Sequence, residues 1–221
     1  MESARPILWF YSWATPTLSF GRLQHPAEEL LRRCREAEVP AVRRPTGGKA
    51  ILHHREVTFS IIASAAGFGS VIDSYRIFAR AIAAGLARLG VEATLCEPHS
   101  PARDATLLCF AAAAECDLEV DGKKLVGSAQ ARRGGALLQQ NSLPLALSHE
   151  LKGHLFGEEA AEEARIATDL TAALSREPSF GEVRDAIVAG FEQELGAVFE
   201  SSLPSPEESQ TAESTRQAVA M

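Results

Sequence analysis

Arg43-Arg44-Pro45-Thr46-Gly47-Gly48-Lys49-Ala50-Ile51-Leu52-His53 is the most unusual stretch of the 221-residue chain. Paired glycines ahead of a β-like run let the backbone approach a ligand closely, and the two arginines before them are suited to a carboxylate or phosphate. The same residues equally suit a glycine turn with solvated arginines, so alone they name no reaction. A second segment, Lys123-Lys124-Leu125-Val126-Gly127-Ser128-Ala129-Gln130, has small residues over which a ligand can pass tightly. A lysine beside such a strand can neutralise an oxyanion or phosphate, although an isolated lysine is more commonly a solvated strand end.

Outward from these segments the pattern alternates strands and helices. Pro6–Tyr11 and Thr17–Gly21 read as strands joined in a hairpin across Ala14-Thr15-Pro16, followed by a helix over His25–Glu38. Lys49–His53 and Glu56–Ala63 are β runs. Ser70 and Asp73 form a capping-box variant for a helix that carries Val71, Tyr75, Phe78, Ile82, Leu86 and Leu89 at helical spacing, and Gly90 closes it. Val91–Cys96 and Thr106–Phe110 are strand candidates, and Asp121-Gly122 marks a tight hairpin between Cys116–Val120 and Lys123–Gln130. A strand region at Ala136–Leu147 is followed by helices at Glu158–Leu174 and Gly181–Leu195, the latter capped by Ser179 and Glu182 and ended by Gly196. The expected fold is α+β: a mixed, mainly antiparallel sheet flanked by helices. Residues 1–199 would form the domain, and 200–221, rich in Ser, Glu, Pro, Gln and Thr, a disordered tail.

Composition narrows the function classes. Hydrophobic residues make up 46% and charged residues 23%, as in globular domains. Twenty-two basic against 29 acidic side chains give −7, which argues against nonspecific nucleic-acid binding. No apolar run is long enough to span a bilayer and no signal core opens the chain, so a cytoplasmic protein off the membrane is expected. Cys34, Cys96, Cys109 and Cys116 lack zinc-type spacing, so no metal site is expected and the thiols are free.

Read together and in order, the Arg-Arg-x-Thr-Gly-Gly-x-Ala-x-Leu-His run, Glu56-Val57-Thr58-Phe59-Ser60 and Lys124-Leu125-Val126-Gly127-Ser128-Ala129-Gln130 resemble the lipoate–biotin protein ligase superfamily. The resemblance runs from about Pro6 to Gly196 and is nearest to the cysteine-dependent lipoyl/octanoyl transferases. It implies a fold like that of biotin protein ligases and class II aminoacyl-tRNA synthetases. It also implies a narrow acyl tunnel lined or oriented by Arg44, Gly47, Gly48, His53, Gly127, Ser128 and Ala129, with Lys124 as the functional lysine. Ligase members carry an Arg-Asn-Asp pattern and work with ATP. Here Cys109-Phe110 leads without a gap to Asp117 and then Asp121-Gly122-Lys123-Lys124, as in the transferases, which implies Cys109 as nucleophile. A thiolate exchanges with an acyl thioester at little cost, and a nearby ammonium favours both thiolate and oxyanion. By residue type alone, Cys109 is a small buried apolar residue.

The implied activity is octanoyl or lipoyl transfer, without a cofactor, from octanoyl-acyl carrier protein through Cys109 to a lysine of a lipoyl domain or glycine-cleavage H protein. The enzyme is expected to be a monomer. Two alternatives are an ATP- and magnesium-dependent lipoate ligase, and a noncatalytic acyl- or carrier-domain-binding module. Four departures from the family pattern motivate the second: no amino-terminal Asp-Glu helix, His54 in place of Asp, Ala111–Ala114 in place of a Pro-Ser loop, and Gln140-Asn141 in place of His-Gly. Docking an acidic lipoyl domain would require a local basic surface around Arg43, Arg44, Arg132 and Arg133.

Overall fold

Among the described residues, apolar side chains at alternating strand positions and at helical spacing build two main cores, each with its own sheet. A computed structural model describes residues 5–96 and 117–219. In chain order the elements are β1 (Ile7–Tyr11), β2 (Thr17–Phe20), α1 (Glu28–Glu36), β3 (Ala41–Arg43), β4 (Ile51–His53) and β5 (Glu56–Ser64). Next come α2 (Val71–Arg88), β6 (Thr94–Leu95), β7 (Leu118–Val120), β8 (Lys123–Arg133) and β9 (Ala136–Pro144). The helices α3 (His149–Phe156), α4 (Glu158–Ile166), α5 (Leu170–Leu174), α6 (Phe180–Leu195) and α7 (Pro206–Val219) follow.

The large sheet has six strands in the order β1-β5-β9-β8-β7-β6, all antiparallel. Its back face presents Val57, Phe59 and Ile61 to Phe78, Ile82 and Leu86 of α2 and to Val183, Ile187 and Phe191 of α6. The small sheet has three strands in the order β3-β2-β4, with β2–β3 parallel and β2–β4 antiparallel. Leu18, Phe20 and Leu52 turn outward into a second core with Leu30 and Cys34 of α1 and Leu155 and Phe156 of α3. Because side chains alternate along a strand, Ser19, Ile51 and His53 turn the other way, toward the large sheet.

Residue size fixes how closely α2 and α6 cross. A Cβ on Gly190 would lie 2.3 Å from the Ala81 carbonyl oxygen and 2.4 Å from the Gly85 nitrogen, and one on Gly85 would lie 2.7 Å from the Ala186 carbonyl oxygen. The two backbones are therefore in contact.

Several expectations change. The β1–β2 hairpin does not form, because Leu8 and Phe10 serve the large-sheet core while Leu18 and Phe20 serve the other; β1 pairs with β5, and β2 with β3 and β4. The helix expected over Glu158–Leu174 divides into α4 and α5, since Ala167 leaves the helix to bridge Lys124 and Asp169 caps Ala172 at 2.8 Å. Helix α3 was not foreseen: the Ser148 side chain before it makes no cap but bonds His54 at 2.6 Å. The segment expected as a disordered tail carries α7, with the Ser205 amide donating to Glu208 at 2.7 Å, the Glu208 amide donating to the Ser205 hydroxyl at 3.2 Å, and Pro206 in the first turn. Its residues through Ala212 are exposed. The Ser70–Asp73 capping box is present, and Asp121 and Gly122 adopt φ of 51° and 71° at the expected turn. The Thr106–Phe110 strand and Cys109 lie outside the described residues.

The crossing yields a stability test. Gly190→Ala is expected to lower unfolding free energy by about 3 kcal/mol, the upper range for overpacking. It should appear as a lower urea midpoint at unchanged slope. Gly181→Ala, whose added Cβ meets nothing, is the control expected to be near neutral.

Candidate active site

The small sheet and the large sheet enclose a cavity of about 250 Å³. Its floor follows the register of the large sheet. Tyr11, Thr58, Ser142 and Gly127 form one row across β1, β5, β9 and β8, and Trp9, Ser60, Gln140 and Ala129 form the next. Tyr11, Thr58, Ser142, Gln140 and Ala129 line the cavity. The roof comes from Ser19, Val42, Arg43, Ile51 and His53 of the small sheet, with Arg44 and Pro45 from the loop and Trp13 from the β1–β2 connection.

The Arg44 side chain organises the loop. It is 7% exposed, and its Nη1 donates to the Ser19 carbonyl (3.1 Å) and hydroxyl (3.0 Å). Its Nη2 donates to the carbonyls of Gly47 (2.8 Å) and Lys49 (2.6 Å). Arg44 thus holds protein carbonyls, rather than standing in the surface basic patch expected from sequence. Arg43 is likewise engaged, donating to the carbonyls of Gly21, Arg22 and Gln24, and Arg132 to those of Gly69 and Ser70; Arg133 is exposed. Gly48 has φ of 86° and passes over Ala129, whose Cβ lies 3.8 Å from where a Cβ on Gly48 would be. Gly21 is the tighter requirement: a Cβ there would fall 1.9 Å from the Gly48 oxygen. Thr46 donates to Gln140 at 2.8 Å, tying the loop to the floor.

His53 is 5% exposed and lies flat on Trp13, with ring centroids 4.2 Å apart and an 11° tilt. Its Nε2 is 2.7 Å from the Ser19 hydroxyl and its Nδ1 is 2.7 Å from Glu56 Oε1. Glu56 also accepts from Ser142 (2.7 Å) and from Thr58, whose hydroxyl accepts from Trp13 Nε1 at 2.8 Å. Burial alone would push the Glu56 carboxyl up, but facing His53 and the three hydrogen bonds outweigh it and hold the group below the usual carboxylate range. Glu56, Ser19 and Trp13 were not among the expected site residues; a glutamate opening an apolar strand was the available signal. Among the described residues no buried side-chain nitrogen or oxygen lacks a partner. The polar groups around the cavity bond one another and leave mainly carbon surface toward it.

Lys124 does not line this cavity. It is 3% exposed, with Nζ 2.5 Å from Asp117 Oδ2. Asp117 Oδ1 accepts from the Ser128 amide at 3.2 Å, and the Ser128 hydroxyl donates at 2.8 Å to Asn141, which reaches the cavity edge. The Cys96 amide donates to the Asp117 carbonyl at 2.9 Å, beside the Lys124–Asp117 pair. Burial, and then the charges of Asp117 and Glu119, push the Cys96 thiol up to about 12. Burial also pushes the Cys34 thiol up.

Against known proteins, the model of the lipoyl protein ligase A/B catalytic domain matches residues 1–192. Octanoyltransferase LipM of an Exiguobacterium strain is 37% identical over 213 residues, covering 89% of this chain and 77% of that protein. Octanoyltransferase LipM of Symbiobacterium thermophilum is 38% identical over 206 residues, covering 86% and 75%. Among solved structures, the bipartite lipoate protein ligase of Thermoplasma acidophilum superposes with a TM-score of 0.77 at 22% identity, covering 98% of this chain and 82% of that one. Lipoate-protein ligase A bound with ATP gives 0.79 at 22% identity, covering 96% and 82%. The six-stranded antiparallel sheet, the arginine-held Gly47–Gly48 loop and these matches together place the chain in the lipoyl protein ligase A/B catalytic domain family.

Proposed function

We propose that the chain is an octanoyltransferase of protein lipoylation. The cavity of about 250 Å³ carries the reading, because its polar groups are spent on one another and its walls favour an unsubstituted acyl chain. Each methylene buried there contributes about 0.8 kcal/mol. The relatives named octanoyltransferase support the same reaction class.

In this reading Cys109 attacks the thioester carbonyl of octanoyl-acyl carrier protein. The carrier's carbon–sulfur bond breaks, the carrier thiol leaves with a proton, and an octanoyl-cysteine thioester remains. A neutral lysine amine of a lipoyl domain or glycine-cleavage H protein then attacks that thioester; the carbon–sulfur bond to Cys109 breaks, an amide forms, and the proton the amine loses goes to the Cys109 sulfur. Acyl activation is already present in the donor, so the reaction requires neither ATP nor metal. In the same reading Lys124, paired with Asp117, supplies positive charge for the thiolate and oxyanion. Among the described residues no helix is long and apolar enough to cross a membrane. We place the enzyme in the cytoplasm, where its carrier-protein donor and its free thiols belong.

Incubation with octanoyl-acyl carrier protein should add one octanoyl mass to the intact chain, and Cys109→Ala should abolish it. No adduct, with lipoate-dependent pyrophosphate release surviving Cys109→Ala, would instead mean a ligase; no adduct and no transfer would mean a binding module. The buried pair gives a second prediction. Asp117→Asn should cost about 3 kcal/mol by removing the carboxylate that pairs with the buried Lys124. The Asp117→Asn/Lys124→Met double variant should recover most of that loss in urea unfolding while remaining inactive.

A further inference from the structure

A guanidinium can only donate hydrogen bonds, so the Ser19 hydroxyl oxygen, 3.0 Å from Arg44 Nη1, is an acceptor there. Its own proton must go elsewhere. Among the described residues the acceptor within reach is His53 Nε2, at 2.7 Å. That nitrogen has a free lone pair only when the ring proton sits on Nδ1, which lies 2.7 Å from Glu56 Oε1. The proton positions therefore follow from the network as a whole. They run one way: Arg44 to Ser19, Ser19 to His53, His53 to Glu56.

We propose that Glu56 is a positioning residue for the acyl cavity, fixing His53 as its neutral Nδ1–H form and, through Ser19, fixing Arg44 and the Gly47–Gly48 loop that Arg44 holds. This rests on the reading of the cavity as the acyl site. Two buried groups of opposite charge, Arg44 and Glu56, are joined through a serine and a neutral imidazole. Glu56 is itself immobilised by Thr58 and Ser142, and Trp13 clamps the imidazole by stacking on its face while donating to Thr58. The other tautomer would aim an N–H at Ser19 and a lone pair at the Glu56 carboxylate. The Ser19 proton would then lose its acceptor, and the carboxylate its donor. The wall of Ser19, His53 and Trp13 would lose its shape at the point where it faces the acyl chain. The same reasoning supplies a carboxylate for the histidine despite His54 standing where relatives carry aspartate: Glu56, three residues after His53, occupies that role.

The test combines spectroscopy with a double-variant cycle on the full chain. Long-range nitrogen–proton correlation spectra of nitrogen-15-labelled protein at neutral pH should show His53 as a single Nδ1–H tautomer, becoming a mixture in Glu56→Gln. With octanoyl-acyl carrier protein as donor, Glu56→Gln and Ser19→Ala should each raise KM about tenfold, the size expected for a charge-assisted hydrogen bond, with kcat kept within about threefold. The double variant should be no worse than either single, because both break one chain. An Nε2–H or doubly protonated His53 in the unsubstituted protein would overturn the proposal, as would KM effects that multiply in the double variant. A single Nδ1–H tautomer in a protein that forms no octanoyl adduct would leave the relay standing and remove the octanoyltransferase reading instead.

Discussion

Burying the Arg44 guanidinium at the seam between the two sheets constrains the chain more than any other single group. Its donors need acceptors, and they find them in Ser19 of β2, in Gly47 of the glycine pair and in Lys49 just after it. The loop takes its course because carbonyls must face that cation, and the cavity lies where the loop meets the large sheet. The loop's second anchor, Thr46 on Gln140, fixes the distance between roof and floor. Gly21 allows the approach, since any side chain there would strike the Gly48 oxygen.

The charged groups divide by depth. Surface pairs such as Arg32 with Glu29 and Glu36 sit on exposed helix faces and contribute little to stability. Buried ones include Lys124 of β8 with Asp117, and Lys152 with Glu163 between α3 and α4. Losing one partner of such a pair costs far more than the intact pair contributes. These sites are accordingly specified as pairs.

Local signals carried much of the architecture into the sequence. The helical stripe of α2 with its Ser70–Asp73 box, the Asp121-Gly122 turn and the Ser179 cap are all contained within a few residues and could be read directly. Pairing partners could not. Whether β1 lies beside β2 or β5 depends on which core Leu8 and Leu18 join, a choice made between residues far apart in sequence. The glycine-pair loop was legible as a ligand-approach motif, yet the role of Arg44 was not, because an arginine bonding carbonyls and one awaiting an anion look identical in sequence. Glu56 opens an apolar strand in the sequence, and its importance arises only when β4 and β5 bring it against His53. The capping box of α7 was present at Ser205–Glu208 but masked by the polar composition around it.

Backbone contact between α2 and α6 at Gly85 and Gly190 leaves the layer behind the large sheet no slack. Back and front of that sheet therefore differ in compliance: the helical side acts as a stiff plate, while the roof is a three-stranded sheet and a loop held by side-chain bonds. With the cavity as the proposed acyl site, a longer or bulkier acyl chain is accommodated by lifting the roof. Natural variation in chain-length preference should accordingly concentrate in β2, β4 and the Thr46–Gly48 loop, leaving the helix pair as a common chassis.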